Sequence, residues 1–212
     1  FWQSARRRPP LAGMRRTVPL GYSGSSAPSD AALLHRLPWS HPRGGLIRAS
    51  SRPLVWSFVG RLKGDRAAIL ERLGSGDGSA GLSPSLVAKS GEFTAGETHA
   101  AYAMSRFVVS PKGNARLDCF RLYEASRVGA IPVVVGAKHA IEAEFGSFVG
   151  AERPPWIFAD TWADAAAAMR LLAHGPKDAI DRRQRRVLRW WASVCDLLRA
   201  ELRAAVAPPA AA

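Results

Sequence analysis

Three short stretches gather cations and glycines directly after runs of β-branched and aromatic residues. The first, Gly60-Arg61-Leu62-Lys63-Gly64-Asp65-Arg66, holds three cations and two glycines. The second, Ser110-Pro111-Lys112-Gly113-Asn114, leads through Arg116 to a helix start at Asp118. The third is Gly136-Ala137-Lys138-His139. Cations and backbone N–H groups converging at helix starts make an anion site, and a diphosphate is its usual biological fit. Just beyond the second stretch, Arg121 and Glu124 stand three apart and share one helix face. A guanidinium grips phosphate through two parallel hydrogen bonds, and a carboxylate accepts from two neighbouring hydroxyls, as a ribose offers. Phosphate beside ribose means a nucleotide. The plainer alternative is an Arg–Glu pair on a solvated helix face, worth ~0.2–0.5 kcal/mol, and the spacing fits both.

Other chemistries lack their residues. The Gly-x-Gly-x-x-Gly string at Gly76 to Gly81 falls inside a Gly/Ser-rich loop and not between a strand and a helix, and there is no Gly-Lys-Ser/Thr loop, so dinucleotide and ATP sites lose their most recognisable signatures. No His-Glu-x-x-His, Asp-x-Asp or glycosidase-type carboxylate pair stands out, and no side chain is assigned as catalytic or metal-binding. Cys119 and Cys195 have no ligand spacing and read as small hydrophobes on apolar helix faces. His99, His139 and His174 are scattered and read as loop or helix-end polarity. Glu142 and Glu144 follow the third strand and read as a solvated loop, although either could approach a sugar hydroxyl. Trp156, Trp162, Trp190 and Trp191 suit core packing better than a sugar platform.

The elements that must position these loops follow from periodicity. "RPLVWSFVGRL" (52–62) reads as a buried strand stopped near Gly60. Asp65 then caps "RAAILERL", whose Ala68, Ile69 and Leu73 keep helical spacing up to Gly74. Residues 74–91 read as a Gly/Ser-rich loop. A short helix is expected over 99–105, then a strand over 106–110. Asp118 is the expected cap of the next helix and Gly129 its end, followed by a strand at 131–135 that is apolar on both faces. Residues 155–159 read as a further strand, and Thr161 with Asp164 as a capping-box-like helix start. That helix should run to His174 and stop at Gly175-Pro176. The last helix, 177–205, carries Ile180, Val187, Trp191, Val194, Leu198 and Leu202 on one stripe. Strands alternating with helices argue an α/β fold with a parallel sheet and helices on both faces. Ligands then bind beyond the carboxyl ends of the strands, where the three basic loops lie.

Composition fits that reading. The 212 residues are 47% hydrophobic and 22% charged, enough apolar content for a core. The net charge of +13 is uneven: residues 1–72 hold 13 Lys/Arg against three acids, and the remainder 17 against 14. Arg runs at 6–8 and 15–16 sit among Pro, Gly and Ser, as in a solvated arm. No nucleic-acid module is visible and aromatics are not interleaved with the cations, so nucleic acid is not an expected partner. The expected organisation is a basic remnant of an interdomain connection over 1–50 (with a strand-end piece, "TVPLGY", at 17–22), one Rossmann-like nucleotide-binding domain over 51–205, and a flexible tail over 206–212. The chain starts at Phe1 rather than Met, so a preceding portion is expected. It contains no run of about 18 apolar residues.

The stretch "SRFVVSPKGNARLDCFRLYEASRVGAIPVVVG" resembles the exostosin-like glycosyltransferase family. Ser105, Phe107, Pro111, Gly113, Arg121, Glu124, Ala125, Gly129, Pro132 and Val133 match its pattern in order and spacing. Phe58, Gly60 and Arg66 resemble an upstream Phe-x-Gly segment of the same family. The resemblance spans about residues 17–200. It implies the Rossmann-like C-terminal half of a GT-B enzyme, holding a nucleoside-diphosphate sugar as donor substrate without an essential metal or other cofactor. It places Arg66 and Arg121 near the diphosphate, Glu124 on the ribose, and Pro111–Gly113 beside the base or sugar. Gly60, Arg61 and Lys112 complete the expected donor-binding set. It further implies inverting transfer to a glycan or glycoprotein acceptor in the Golgi lumen, membrane anchorage of the full-length protein, and an N-terminal acceptor domain carrying the catalytic base. A catalytically inactive nucleotide-sugar-binding or interaction module is the alternative, and a basic RNA-binding protein a weaker one.

Overall fold

A computed structural model describes residues 46–74, 82–113, 116–146 and 152–206. The segment 1–45 with its "TVPLGY" piece, Asn114, and the tail from 207 lie outside these residues. Five strands make one sheet in the order β2-β1-β3-β4-β5. They are β1 (Leu54–Gly60), β2 (Ser85–Lys89), β3 (Ser105–Ser110), β4 (Ile131–Val135) and β5 (Ile157–Ala159). Every neighbouring pair is parallel. The helices around the sheet are α1 (Arg66–Gly74), α2 (Ala95–Ala103), α3 (Phe120–Arg127), α4 (Lys138–Phe145), α5 (Trp162–His174) and α6 (Lys177–Val206). This is the expected α/β Rossmann-like arrangement.

The chain winds from β1 outward to β2, then returns past β1 to β3 and onward to β5. Winding therefore reverses between β1 and β3, and a crevice opens beyond their carboxyl ends where helices diverge. Central strands bury both faces: in β4, residues 131–134 are all buried, and in β1, Val55 to Phe58 are. One large core joins Trp56, Phe58, Phe107 and Val133 to Leu70 and Leu73 of α1 and to Val187 and Val194 of α6. A smaller one sets Tyr102 and Ala103 of α2 against Val108 and Ala125.

Two expectations are corrected here. The loop expected over 74–91 contains β2, which pairs with β1 from Trp56↔Ser85 to Gly60↔Lys89. An edge strand buries little, and Val87 is 45% exposed, so its five residues carry too weak an apolar pattern to stand out among Gly and Ser. Asp118 does not cap α3. The N-cap is Cys119, whose side chain makes no capping bond, while Asp118 accepts the hydroxyl of Tyr123. Cys119 accordingly precedes the helix rather than lying on its apolar face, and Cys195 is half-buried against the core.

The other punctuation follows the sequence. Gly129 ends α3 at φ +67°, the left-handed conformation glycine adopts at low cost, and Ala130 N–H donates to Ala125 O. Thr161 caps α5 by accepting from Asp164 N–H. In α6, Ile180, Val187, Trp191 and Val194 are buried and Leu198 packs half-buried on the core; the Leu202 side chain lies outside the described set. Among the described residues, no helix is long and apolar enough to cross a membrane.

Candidate functional site

The crevice at the winding reversal contains a cavity of about 330 Å³. Its floor is the end of β1, at Val59 and Gly60; its walls are the starts of α2 and α3. Two helix N-termini thus border one cavity, an arrangement that favours negative charge. They are finished differently. Thr94 and Glu97 close α2 in a reciprocal capping box, whereas α3 has no side-chain cap.

Arg121, in the first turn of α3, stretches across the reversal. Its Nε and Nη2 both donate to Val59 O at 3.2 Å, and Nη1 donates to Ser110 Oγ at 3.3 Å. The guanidinium also lies 4.5 Å from the centroid of the Phe58 ring. It turns to the strand ends and not along its helix to Glu124, so the surface Arg–Glu pair is not formed. Three of its five N–H groups go to oxygen partners, leaving two, one of them near Cys119 Sγ at 3.6 Å. Gly60 makes this pose possible, because a Cβ there would stand 2.5 Å from Arg121 Nη2.

Glu124 is buried to 7% exposure on the next turn and lines the same cavity. Its charge acts on His99, which is 3% exposed and also lines the cavity. His99 Nδ1 lies 2.8 Å from Ala95 O. Burial pushes the imidazole below its ordinary value, with Glu124 pulling the other way. The expectation of helix-end polarity for His99 is therefore wrong in place: it is a buried cavity residue. Nothing in its spacing distinguishes it, since its burial depends on α2 folding back over β1. Tyr102, one turn on, lines the cavity too, its hydroxyl 3.5 Å from Val59 O and its acidity suppressed by burial. Half-buried Phe93 and Phe120 complete the wall.

The eight residues expected at the site fall into two groups. Gly60, Arg121 and Glu124 meet in the cavity. Arg61, Arg66, Pro111, Lys112 and Gly113 form a neighbouring rim at the same strand ends, where Arg66 donates to the carbonyls of Arg61 and Lys112. That bridge ties the loop after β1 to the loop after β3. It leaves the Arg66 guanidinium engaged with backbone oxygens, while Arg61 and Lys112 are exposed and Pro111 is buried. In the third loop, Lys138 and His139 open α4 and are exposed. Glu142 and Glu144 lie on α4, not in a loop, and pair with Arg153 at 3.6 Å and Arg116 at 3.7 Å. Among the described residues, no cluster of three His, Cys, Asp or Glu could hold a metal ion.

The family model named RXYLT1 C-terminal domain matches residues 84–207. The chain belongs to this family. The family is exostosin-like, as the Ser105-to-Val133 pattern implied, and of glycosyltransferase type. The match begins at β2, the strand the sequence concealed, and runs through α6. Pro111, Lys112, Gly113, Arg121 and Glu124 fall inside it; Gly60, Arg61 and Arg66 precede it. No curated protein matches the chain.

Proposed function

We propose that this chain is the donor-binding half of a GT-B glycosyltransferase that transfers a sugar, xylose by the family's type, from a nucleoside diphosphate to a glycan or glycoprotein acceptor. The observation that carries the reading is the position of Arg121. Its guanidinium bridges β1 and β3 at the winding reversal, one turn from buried Glu124 and beside the uncapped start of α3. The remaining guanidinium N–H groups and the first amides of α3 are the donors for a diphosphate. Glu124 accepts the ribose hydroxyls, and half-buried Phe93 and Phe120 offer faces for a base.

Chemistry follows from where charge develops. As the glycosidic bond to the donor breaks, negative charge builds on the departing diphosphate, and preorganised cations and helix N-termini lower that barrier. Arg121 is held in place before substrate arrives, so little reorganisation is needed. The residues of the rim, Arg61, Arg66, Lys112 and the Pro111–Gly113 turn, border the path the diphosphate and sugar take. The base that activates the acceptor belongs to an acceptor-binding domain outside this chain. Inversion at the sugar carbon, independence from metal, and a Golgi-lumenal, membrane-anchored setting complete the proposal.

Calorimetric titration tests it. A nucleoside diphosphate should bind, and Arg121→Ala should weaken it about 10- to 100-fold, the ~1.5–3 kcal/mol of hydrogen bonds to a charged group. The same variant should change binding of the bare nucleoside much less. Glu124→Ala should weaken nucleoside and nucleotide alike and matter less for a ligand without ribose hydroxyls. Unaltered binding in both variants would overturn the reading.

A further inference from the structure

A second cavity, of about 410 Å³, lies between α6 and the segment leading into β5. It shares no residue with the crevice. It opens beside Pro155, before β5, whereas the crevice lies beyond the opposite, carboxyl ends of the strands. Arg186, Arg189 and Ser193 line it from α6 at spacings of three and four, so they share one helix face. Across the opening stand Glu152, Arg153 and Pro155.

The walls are fixed. Trp190 forms one of them, buried to 7% exposure, and its indole N–H donates to Glu152 O at 2.9 Å. Its ring meets Trp156 edge-on at 5.1 Å. Arg183, one turn before Arg186, donates to Trp156 O at 2.6 Å, which pins α6 to the start of β5.

Charge is not balanced within these walls. Three guanidinium groups face one carboxylate, that of Glu152. Arg153 is already committed to Glu142 at 3.6 Å and to the face of Phe158 at 4.7 Å. Arg186 and Arg189 have no hydrogen-bond or ion-pair partner among the described residues. Their neighbour Arg183 feels the excess: burial lowers its proton affinity, and repulsion from Arg186 lowers it further. On the same helix Arg182 is paired with Asp178 and Arg199 with Asp196, while Arg185 and Arg203, which do not line the cavity, have no ion-pair partner among the described residues either. Two unmatched guanidinium groups and a hydroxyl on one face of a walled cavity are the donor set of a tetrahedral oxyanion.

We propose that this cavity is a binding site for a phosphate or sulfate group, with Arg186 and Arg189 as its bidentate donors and Ser193 Oγ as a third. The cavity exceeds what a bare oxyanion fills and lies in the range of small-molecule sites, so the group is carried as an ester on a hexose-sized body resting on Pro155.

Titration of the intact chain with inorganic phosphate, inorganic sulfate and a hexose phosphate, at constant ionic strength and with excess nucleoside diphosphate occupying the crevice, tests this. Two double variants are compared: Arg186→Gln with Arg189→Gln, and Arg182→Gln with Arg185→Gln as a charge-matched control. The first should weaken hexose phosphate binding at least 10-fold and the control less than 2-fold. Hexose phosphate should also bind more tightly than either free ion; equal affinities would reduce the site to one for free oxyanion and overturn the ester assignment. Equal weakening by both variants would assign the effect to the general field of α6, and absence of binding to wild type would remove the site altogether. Displacement by the nucleoside diphosphate would place the ligand in the crevice instead and likewise overturn it. Melting temperatures of both variants within a few degrees of wild type confirm that the comparison is between folded proteins.

Discussion

At the scale of single residues, Arg121 has two duties that can be separated. It ties Val59 O to Ser110 Oγ across the strand ends, and it presents its outer edge to the cavity. Gly60 is the handle. A Cβ at Gly60 would fall 2.5 Å from Nη2 and 3.1 Å from Phe58 Cζ, and the guanidinium tip, being flexible, is what gives way. Gly60→Ala should therefore displace Arg121 and reduce nucleoside diphosphate affinity about 10-fold, the loss of roughly one charge-assisted bond. Thermal stability should change little, because β1 keeps its pairing with β2 and β3. An unchanged affinity with Arg121 displaced in a structure of the variant would detach the guanidinium from binding. Arg52 is a useful contrast. It is 1% exposed and donates to the carbonyls of Ile47, Tyr102, Ser105 and Val128, so it closes chain ends rather than serving a ligand. Burial brings its guanidinium down to about 9, with Asp181 opposing, so it is charged at neutral pH. Both arginines sit in strings of ordinary-looking residues. Only one was legible as special, because only Arg121 stands in a pattern with Glu124; what Arg52 does depends on four carbonyls far apart in sequence.

At the scale of elements, strongly periodic segments were legible and weakly periodic ones were not. β1, β3 and β4 announce themselves because they bury both faces and so read as continuous apolar runs. α5 and α6 announce themselves through Thr161 and the long apolar stripe. β2 did not, since an edge strand needs only one buried residue, Ala88, to hold its register. The same gap hid half of the cavity: without β2, α2 could not be placed over the end of β1, and His99 and Phe93 stayed outside any site. α6 is the element on which stability should turn. Trp191 is 9% exposed and packs 5.9 Å from the Tyr123 ring, while Asp181 accepts from Ser50 N–H and Oγ and Gln184 Oε1 from Ala49 N–H. The helix thereby clamps both the core and the segment entering β1. Trp191→Ala should cost about 3–5 kcal/mol, the range for emptying a buried aromatic site. Chemical denaturation measures this directly, and a loss below about 1 kcal/mol would mean that α6 is not docked in solution as it is here.

At the scale of the whole molecule, the sheet separates two tasks. Below β1 and β3 its amino-terminal end is closed by Arg52 and by α6, and its carboxyl end is left open around a cavity that holds a buried histidine beside a buried glutamate. That open end should make stability depend on pH in a definite direction. Burial depresses the proton affinity of His99 below its ordinary value of 6.5; Glu124 and the Ala95 carbonyl pull upward and Arg127 pulls downward. The folded state thus binds fewer protons at His99 than the unfolded state, and stability rises with pH wherever that difference exists. The contribution is whole above about pH 6.5 and is lost as pH falls toward the depressed folded value. Glu144 works in the opposite sense. Burial raises its carboxyl above 4.5 against the pull of Arg116, so its protonation favours the folded state and that benefit disappears as pH rises through the folded value. The two effects are separated by substitution: urea denaturation between pH 5 and 8 should show wild-type stability falling on acidification below about 6.5, with a shallower slope in His99→Gln. Parallel slopes for wild type and His99→Gln would show that the imidazole is accessible to water and that the cavity is more open in solution.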